Sequence, residues 1–125
     1  MKFLCLAYEE ERILATLSSE EWESLRQETL SYIEELRSNG TLVSAEPLRR
    51  AQYASTVRVR NGKPSITDGP FAETKEQLGG FFLIDVKDKA EAVRIAARWP
   101  SARFGSIEVR PLEDGLTEAG RYAES

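Results

Sequence analysis

The order of sequence patterns in this 125-residue chain predicts one α+β domain. Strand and helix patterns alternate as β-α-β, a hairpin, then β-α-β. Two strands, residues 2–8 and 80–86, are apolar on both alternating faces, which is typical of central strands. Only two long helix patterns accompany them, so both helices can cover one face of a single sheet. These three observations predict a ferredoxin-like sandwich of an antiparallel sheet and two helices.

The first half of the chain contains clear boundary signals. Ser18 followed three residues later by Glu21 is a capping box, and Asn39-Gly40 is a stop signal. Pro47 ends the apolar run that follows. The elements predicted here are a strand at 2–8, a charged connection or short helical turn at 9–17, a helix at about 19–38 and a strand at 41–46.

The second half begins with a hairpin, because Asn61-Gly62 separates two alternating segments. Asp88 with Glu91 repeats the capping-box pattern, and Trp99-Pro100 ends the helix that follows. The predicted elements are strands at 55–60 and 65–67, one or two helical turns within 72–78, a central strand at 80–86, a helix after Asp88 and a last strand at 105–111. Residues 1–112 are expected to form the domain, and 113–125 a flexible tail.

Composition limits the classes of function. Seventeen Lys and Arg against 21 Asp and Glu give a net charge of −4, which argues against general nucleic-acid binding. Arg49 and Arg50 are read as solvated or paired surface arginines. The chain has no run long enough to span a membrane, and the apolar run at 3–7 is too short for a signal peptide. A cytoplasmic protein that does not bind membranes is predicted.

Cysteine and histidine usage limits the chemistry. A single cysteine, Cys5, excludes an internal disulfide, and its apolar surroundings favour inert packing in the core. The chain contains no histidine, so any acid–base chemistry must use a carboxylate, lysine, tyrosine or cysteine with a shifted pKa. No metal site and no cofactor are predicted, and any metal that did bind would be a hard, oxygen-liganded ion.

The central strands, which are apolar on both faces, also predict an interaction surface. Two helices can cover only one face of the sheet, so a monomer would expose the apolar side chains of the other face. A homodimer whose sheets face each other would bury them and would leave a partly enclosed space between the subunits.

The stretch from Thr67 to Phe82 contains the main candidate site. Asp68, at the turn before Gly69 and Pro70, is the first candidate for a catalytic role, although a turn-capping aspartate is the simpler interpretation. Strand alternation adds candidates on the uncovered face, where ion pairs or solvated side chains are the alternative. The further ligand-binding candidates are Tyr8, Arg58, Phe71, Glu73, Lys75, Glu108 and Arg110.

The same stretch resembles a known family. Residues 68–76, Asp-Gly-Pro-Phe-Ala-Glu-Thr-Lys-Glu, running on into Leu78-Gly79-Gly80-Phe81, are similar to the signature of the DGPF-domain branch of the YCII-related family. The closing strand at 107–111 is similar as well, and the likeness covers about residues 1–112. The resemblance implies a ferredoxin-like fold that pairs into a dimeric α/β barrel.

The resemblance also has functional implications. YCII-type relatives are thought to use an aspartate–histidine pair, and some act in the breakdown of small cyclic or aromatic compounds. Asp68 matches the aspartate, but the chain has no histidine, which leaves loss of activity open. DGPF proteins also resemble products encoded beside extracytoplasmic-function sigma factors.

Two hypotheses follow. In the first, the protein is a small-molecule enzyme in which Asp68 is the acid or base in a pocket between the sheet and a dimer partner. In the second, it is a non-catalytic ligand-binding or regulatory module linked to a sigma factor, with that factor as a partner.

Overall fold

The computed structural model describes residues 1–113. Four strands form one antiparallel sheet in the order β2-β5-β1-β6, and β3 and β4 form a separate hairpin. The elements are β1 Lys2–Glu9, α1 Glu11–Leu14, α2 Ser19–Ser38, β2 Leu42–Pro47, β3 Ser55–Arg60, β4 Lys63–Asp68, β5 Gln77–Asp85, α3 Lys89–Ala97 and β6 Gly105–Pro111. Short 3₁₀ turns lie at Ala51–Tyr53 and Pro100–Phe104. The predicted ferredoxin-like α+β fold is therefore confirmed.

Helix α2 begins where the sequence predicts. The Ser18 hydroxyl accepts a hydrogen bond from the Glu21 backbone N–H at 3.1 Å, and the Glu21 carboxylate accepts one from the Ser18 N–H at 2.8 Å. The Ser18 backbone N–H, and secondly the Ser18 hydroxyl, lower the pKa of the Glu21 carboxyl group by hydrogen bonding, because this favours its charged form. This reciprocal pair satisfies two of the free N–H groups at the helix start.

The core lies between the sheet and the two long helices. Phe3 and Cys5 of β1 and Phe82 and Ile84 of β5 are almost completely buried. They pack against Tyr32 and Leu36 of α2 and Ala92 and Ala96 of α3, and Trp99 stacks on Phe82 with ring centroids 4.0 Å apart. Burial raises the pKa of the Cys5 thiol to about 12, so the thiol stays protonated and inert, as predicted.

The opposite face of the sheet has no helix against it among the described residues. Leu4 and Leu6 of β1 and Phe81 and Leu83 of β5 point away from the core and are only partly buried. This is the face on which the prediction of a homodimer depends. No helix within residues 1–113 is both long and apolar enough to cross a membrane.

The sheet has small residues beneath the N-terminal half of α2. Ala7 of β1 pairs with Gly80 of β5, and Ala45 of β2 lies on the same side. The C-terminal half of α2, by contrast, packs Tyr32 and Leu36 against phenylalanine side chains. The sheet therefore fills the core at one end and leaves a cavity under the helix at the other.

Strand β5 contains an irregularity at this end. Ala7 pairs with Gly80, but the next residue of β1, Tyr8, pairs with Leu78. Gly79 is therefore an extra residue on β5, a β-bulge. Bulges bend a strand and redirect neighbouring side chains, and they are common next to active sites.

The prediction of helical turns within 72–78 was wrong. Residues 70–76 form a loop, and β5 begins at Gln77, three residues earlier than predicted. The Gln77 side-chain amide donates hydrogen bonds to the carbonyl oxygens of Ala72 at 3.1 Å and Thr74 at 3.0 Å. This side chain satisfies carbonyls that a helix would have bonded internally, while Gln77 itself joins the sheet opposite Glu9.

The hairpin has the predicted turn. Asn61 and Gly62 both adopt positive φ angles, of 51° and 74°, as a two-residue hairpin loop requires. At its base the Gly69 N–H donates to the Ala54 carbonyl at 2.7 Å, and Gly69 has a φ of 102°. The predicted flexible tail lies almost entirely outside the described residues.

Candidate functional site

Two cavities meet at the end of β1. One has a volume of about 490 Å³ and opens towards the segment between β2 and β3. The other has a volume of about 670 Å³ and runs as a groove beneath α2. Glu9, Trp22 and Gly79 line both of them. Each volume is in the range of small-molecule sites.

Glu9 is a partly buried carboxylate at this junction. Its burial raises its pKa, because the charged form loses hydration. The neighbouring Ser101 lowers the pKa in part, and the charge of Glu11 raises it further. The net effect is a raised pKa, so Glu9 holds a proton more readily than a surface glutamate does.

The bulge at Gly79 provides the space that Glu9 occupies. A Cβ atom added to Gly79 would lie 2.6 Å from the Glu9 carboxyl carbon, well inside van der Waals contact. Glu9 is also the last residue of β1, since the chain leaves the sheet for α1 immediately afterwards. A strand end and a missing side chain thus bring a carboxyl group over the backbone of β5.

Ser101 supplies a second polar group. It lies in the 3₁₀ turn after Trp99, is only 7% exposed, and lines the groove under α2. Its hydroxyl makes no well-formed hydrogen bond within residues 1–113, although it lies near enough to the Glu9 carboxyl to lower the pKa of that group. A buried hydroxyl without a partner costs free energy, so it is available to a bound polar atom.

The smaller cavity has a basic wall formed by Arg49 and Arg50. The segment that carries them is fixed at two points. The Leu48 N–H donates to the Gly79 carbonyl at 2.8 Å, and the Ala51 N–H donates to the Glu11 carboxylate at 3.0 Å. The Arg49 guanidinium lies 5.2 Å from the centre of the Tyr53 ring, in cation–π range.

The larger cavity is mostly apolar. One side is the face of α2 that carries Trp22, Leu25 and Ile33, and the floor is Ala7 and Gly80 of the sheet. Glu23 and Arg26 stand at its rim and form an ion pair with each other at 3.4 Å. The groove can therefore accept an apolar group, with polar contacts concentrated at the Glu9 end.

The sequence-predicted residues lie elsewhere on the described chain. Asp68 ends β4 at the base of the hairpin and is exposed, as are Arg58 on β3 and Glu73 in the following loop. Phe71 is 81% exposed. Tyr8 is partly buried on the uncovered face of β1, between Leu78 and Ser106 of its neighbouring strands.

The remaining predicted residues form pairs. Glu108 and Arg110 lie on the uncovered face of β6, with the Arg110 Nε 3.7 Å from a carboxylate oxygen of Glu108. The Lys75 ammonium is 3.8 Å from the Glu10 carboxylate. Neither cavity at Glu9 is lined by any of the eight predicted residues.

Sequence reasoning missed Glu9, Ser101 and Trp22. Glu9 falls in the predicted charged connection at 9–17, and Trp22 falls within the predicted helix at about 19–38. A usable signal was present: Glu9 follows directly on an apolar strand, and the chain offers Gly79-Gly80 on another central strand. No local pattern in the sequence distinguishes Ser101.

An antiparallel sheet with both long helices on one face, and a carboxylate between two cavities, defines a ferredoxin-like α+β protein with space for a small molecule. The family model of the YCII-related domain matches residues 1–114, and the chain belongs to the YCII-related family. An uncharacterised protein of Rhizobium meliloti is 37% identical over 114 residues, which cover 90% of this chain and 92% of that protein.

A solved structure supports the same fold. This chain is similar to 5-chloro-2-hydroxyhydroquinone dehydrochlorinase (TftG) from Burkholderia phenoliruptrix, solved in complex with 2,5-dihydroxybenzoquinone. The TM-score is 0.56 at 16% sequence identity, and the match covers 92% of this chain and 96% of that one. At this identity the likeness concerns the fold.

Proposed function

We propose that this protein binds a small organic molecule at the junction of the two cavities and that the Glu9 carboxyl exchanges a proton with it. The observation that carries the proposal is the position of Glu9, a partly buried carboxyl group with a raised pKa that lines both cavities. Perturbed carboxyl groups in clefts are frequent at functional sites.

The proposed chemistry suits a chain without histidine. General acid–base catalysis is most efficient when the pKa of the catalytic group approaches the working pH. Desolvation moves the pKa of Glu9 in that direction, and Glu11 adds to the effect. In this proposal Ser101 provides a hydroxyl that binds and orients a polar atom of the ligand beside the carboxyl group.

The comparisons support a small-molecule enzyme without identifying a reaction. The structural neighbour is named as a dehydrochlorinase and was solved with a bound quinone. Its fold therefore accommodates a small ring compound and an enzymatic activity.

Asp68 stays a second proposal for the acid or base, in a pocket completed by a dimer partner. The homodimer is itself a proposal, supported by the partly buried apolar side chains on the uncovered face of the sheet. Light scattering tests it: a monomer at micromolar concentration would contradict the pairing of the two sheets.

The alternative function is a non-catalytic ligand-binding or regulatory module linked to an extracytoplasmic-function sigma factor. The observation that favours it is the absence of histidine from the sequence, set against the aspartate–histidine pair of YCII-type relatives. A cytoplasmic location also stays a prediction.

One screen separates these proposals. Wild type, Glu9→Gln and Asp68→Asn are melted with each member of a metabolite library, and compounds that raise the Tm are tested for conversion to product. A compound that stabilises wild type and Asp68→Asn but not Glu9→Gln supports the Glu9 site. Loss of stabilisation in Asp68→Asn alone would move the site to Asp68. Binding without conversion favours the non-catalytic module, and no stabilising compound at all contradicts the proposed function.

A further inference from the structure

We infer that the ligand is an aromatic acid, whose ring lies in the groove beneath α2 and whose anionic group binds Arg49 and Arg50. The inference rests on the proposed function and adds a ligand class to it. Three parts of the site carry it: the apolar groove, the polar junction and the basic wall.

The groove fits a flat ring. Its floor consists of Ala7 and Gly80, so no large side chain occupies the space between α2 and the sheet. Trp22 and Leu25 supply an apolar side wall, and an aromatic ring packs well against an indole ring. A volume of about 670 Å³ exceeds the roughly 150 Å³ cavity that suffices for benzene in a protein core.

The junction favours a substituent that can hydrogen-bond. The Ser101 hydroxyl is buried in the groove lining and, apart from a weak interaction with the Glu9 carboxyl, has no partner among the described residues. The Glu9 carboxyl lies beside it and can donate a hydrogen bond when protonated. A hydroxyl or carbonyl oxygen on the ring would satisfy both groups at the same point.

The basic wall favours an anion. Within residues 1–113 neither Arg49 nor Arg50 belongs to an ion pair, although both line the cavity beyond Trp22. Of the two carboxylates that line this cavity, Glu9 and Glu11, the latter already accepts a hydrogen bond from the Ala51 N–H. Guanidinium groups bind carboxylates with charge-assisted hydrogen bonds, often in pairs.

The anion must also tolerate the acidic residues around it. Glu9 and Glu11 line the same cavity, so a fully charged Glu9 would repel a carboxylate. A protonated Glu9 removes that repulsion and supplies a donor. The arrangement therefore suits a ligand with the anion at the arginines and a neutral oxygen near Glu9.

Tryptophan fluorescence tests the inference on the full chain, because Trp22 and Trp99 both line the groove. The probes are benzoate, 4-hydroxybenzoate, 2-naphthoate and the uncharged methyl ester of 4-hydroxybenzoate. We expect at least one acid to bind with submillimolar Kd. We expect the double variant R49Q/R50Q to raise the Kd for that acid by about 10-fold or more and to change the Kd for the ester less than about 2-fold.

Two further variants control the result. Arg94→Gln removes an exposed positive charge from α3, outside both cavities, and should leave every Kd unchanged. Ser101→Ala should weaken the binding of 4-hydroxybenzoate more than the binding of benzoate, because only 4-hydroxybenzoate has a ring hydroxyl. Circular dichroism verifies that the R49Q/R50Q variant is folded.

The outcomes separate the ligand class from the proposed function. If no acid binds below millimolar concentration, or the ester binds as tightly as the acid, the aromatic-acid inference is overturned. An equal loss of affinity for the acid and for the ester in R49Q/R50Q overturns the inference too. A neutral compound that depends on Glu9 but not on the arginines would overturn the ligand class and leave the proposed function standing.

Discussion

Replacing Glu9 by glutamine should change how the stability of this protein depends on pH. The carboxyl group has a raised pKa in the folded state, first because of its burial and also because of the charge of Glu11. In the unfolded chain the pKa returns to about 4.5, the ordinary value for glutamate. The substitution keeps the size of the side chain and removes its titration, so a comparison of the two proteins isolates this group.

The sign follows from the linkage between proton binding and folding. Below the unfolded pKa, Glu9 is protonated in both states and has little effect on the pH dependence. As the pH rises, the unfolded chain loses its proton first, and the free energy of unfolding falls until the pH passes the folded pKa. Each unit by which the pKa is raised corresponds to about 1.4 kcal/mol. For a domain of this size that equals roughly 5 °C in Tm.

The assay is urea denaturation of wild type and Glu9→Gln at intervals of pH. The series runs from about pH 4, near the pKa of glutamate in an unfolded chain, up to about pH 8. We expect Glu9→Gln to gain stability relative to wild type as the pH rises through this range. Glu73→Gln, which removes an exposed carboxylate from the loop before β5, controls for the change in net charge. Parallel stability curves for wild type and Glu9→Gln would refute the assignment of Glu9 as a desolvated carboxyl group.

Three other substitutions test the site and the fold. Gly79→Ala should push the Glu9 carboxyl back by about 1 Å and weaken any reaction that uses it by up to about 100-fold, with the melting curve showing that the fold persists. If Glu9 is catalytic, unchanged turnover in Gly79→Ala would contradict the role given to the bulge. Phe82→Ala removes a completely buried ring that stacks on Trp99, and should cost about 3–5 kcal/mol in denaturant unfolding. Ser18→Ala breaks the capping box and should cost about 1 kcal/mol, while a loss near zero would mean that the exposed cap adds little to α2.

The sequence patterns predicted most of the fold because strand alternation and helix signals are local. The α2 boundaries follow from the Ser18 and Glu21 pair and the stop at Asn39-Gly40, and the hairpin follows from Asn61-Gly62. The loop at 70–76 was misread because it contains helix-forming residues. Its conformation depends on the Gln77 side chain, whose role appears only when β5 pairs with β1.

The candidate site was less accessible to sequence reasoning because it is made by non-local packing. The motif at 68–76 directed attention to Asp68, which lies on the hairpin, outside both cavities. The larger cavity lies where α2 crosses Ala7 and Gly80, residues brought together only by strand pairing. Arg49 and Arg50 are exposed, as predicted, but nothing local in the sequence indicates that they also line a cavity with Glu9.

The bulge at Gly79 divides β5 into two parts with separate tasks. The residues after it, from Gly80 onward, keep regular pairing with β1 and include Phe82 and Ile84 of the core. The residues before it are offset by one position and connect to the loop that follows the hairpin. The loop before the bulge can therefore vary in sequence without shifting the register of the strands that carry Phe82 and Ile84. The groove cannot vary independently of the core, because Ala7, Gly80 and Trp99 line it and also belong to the packed sheet and core.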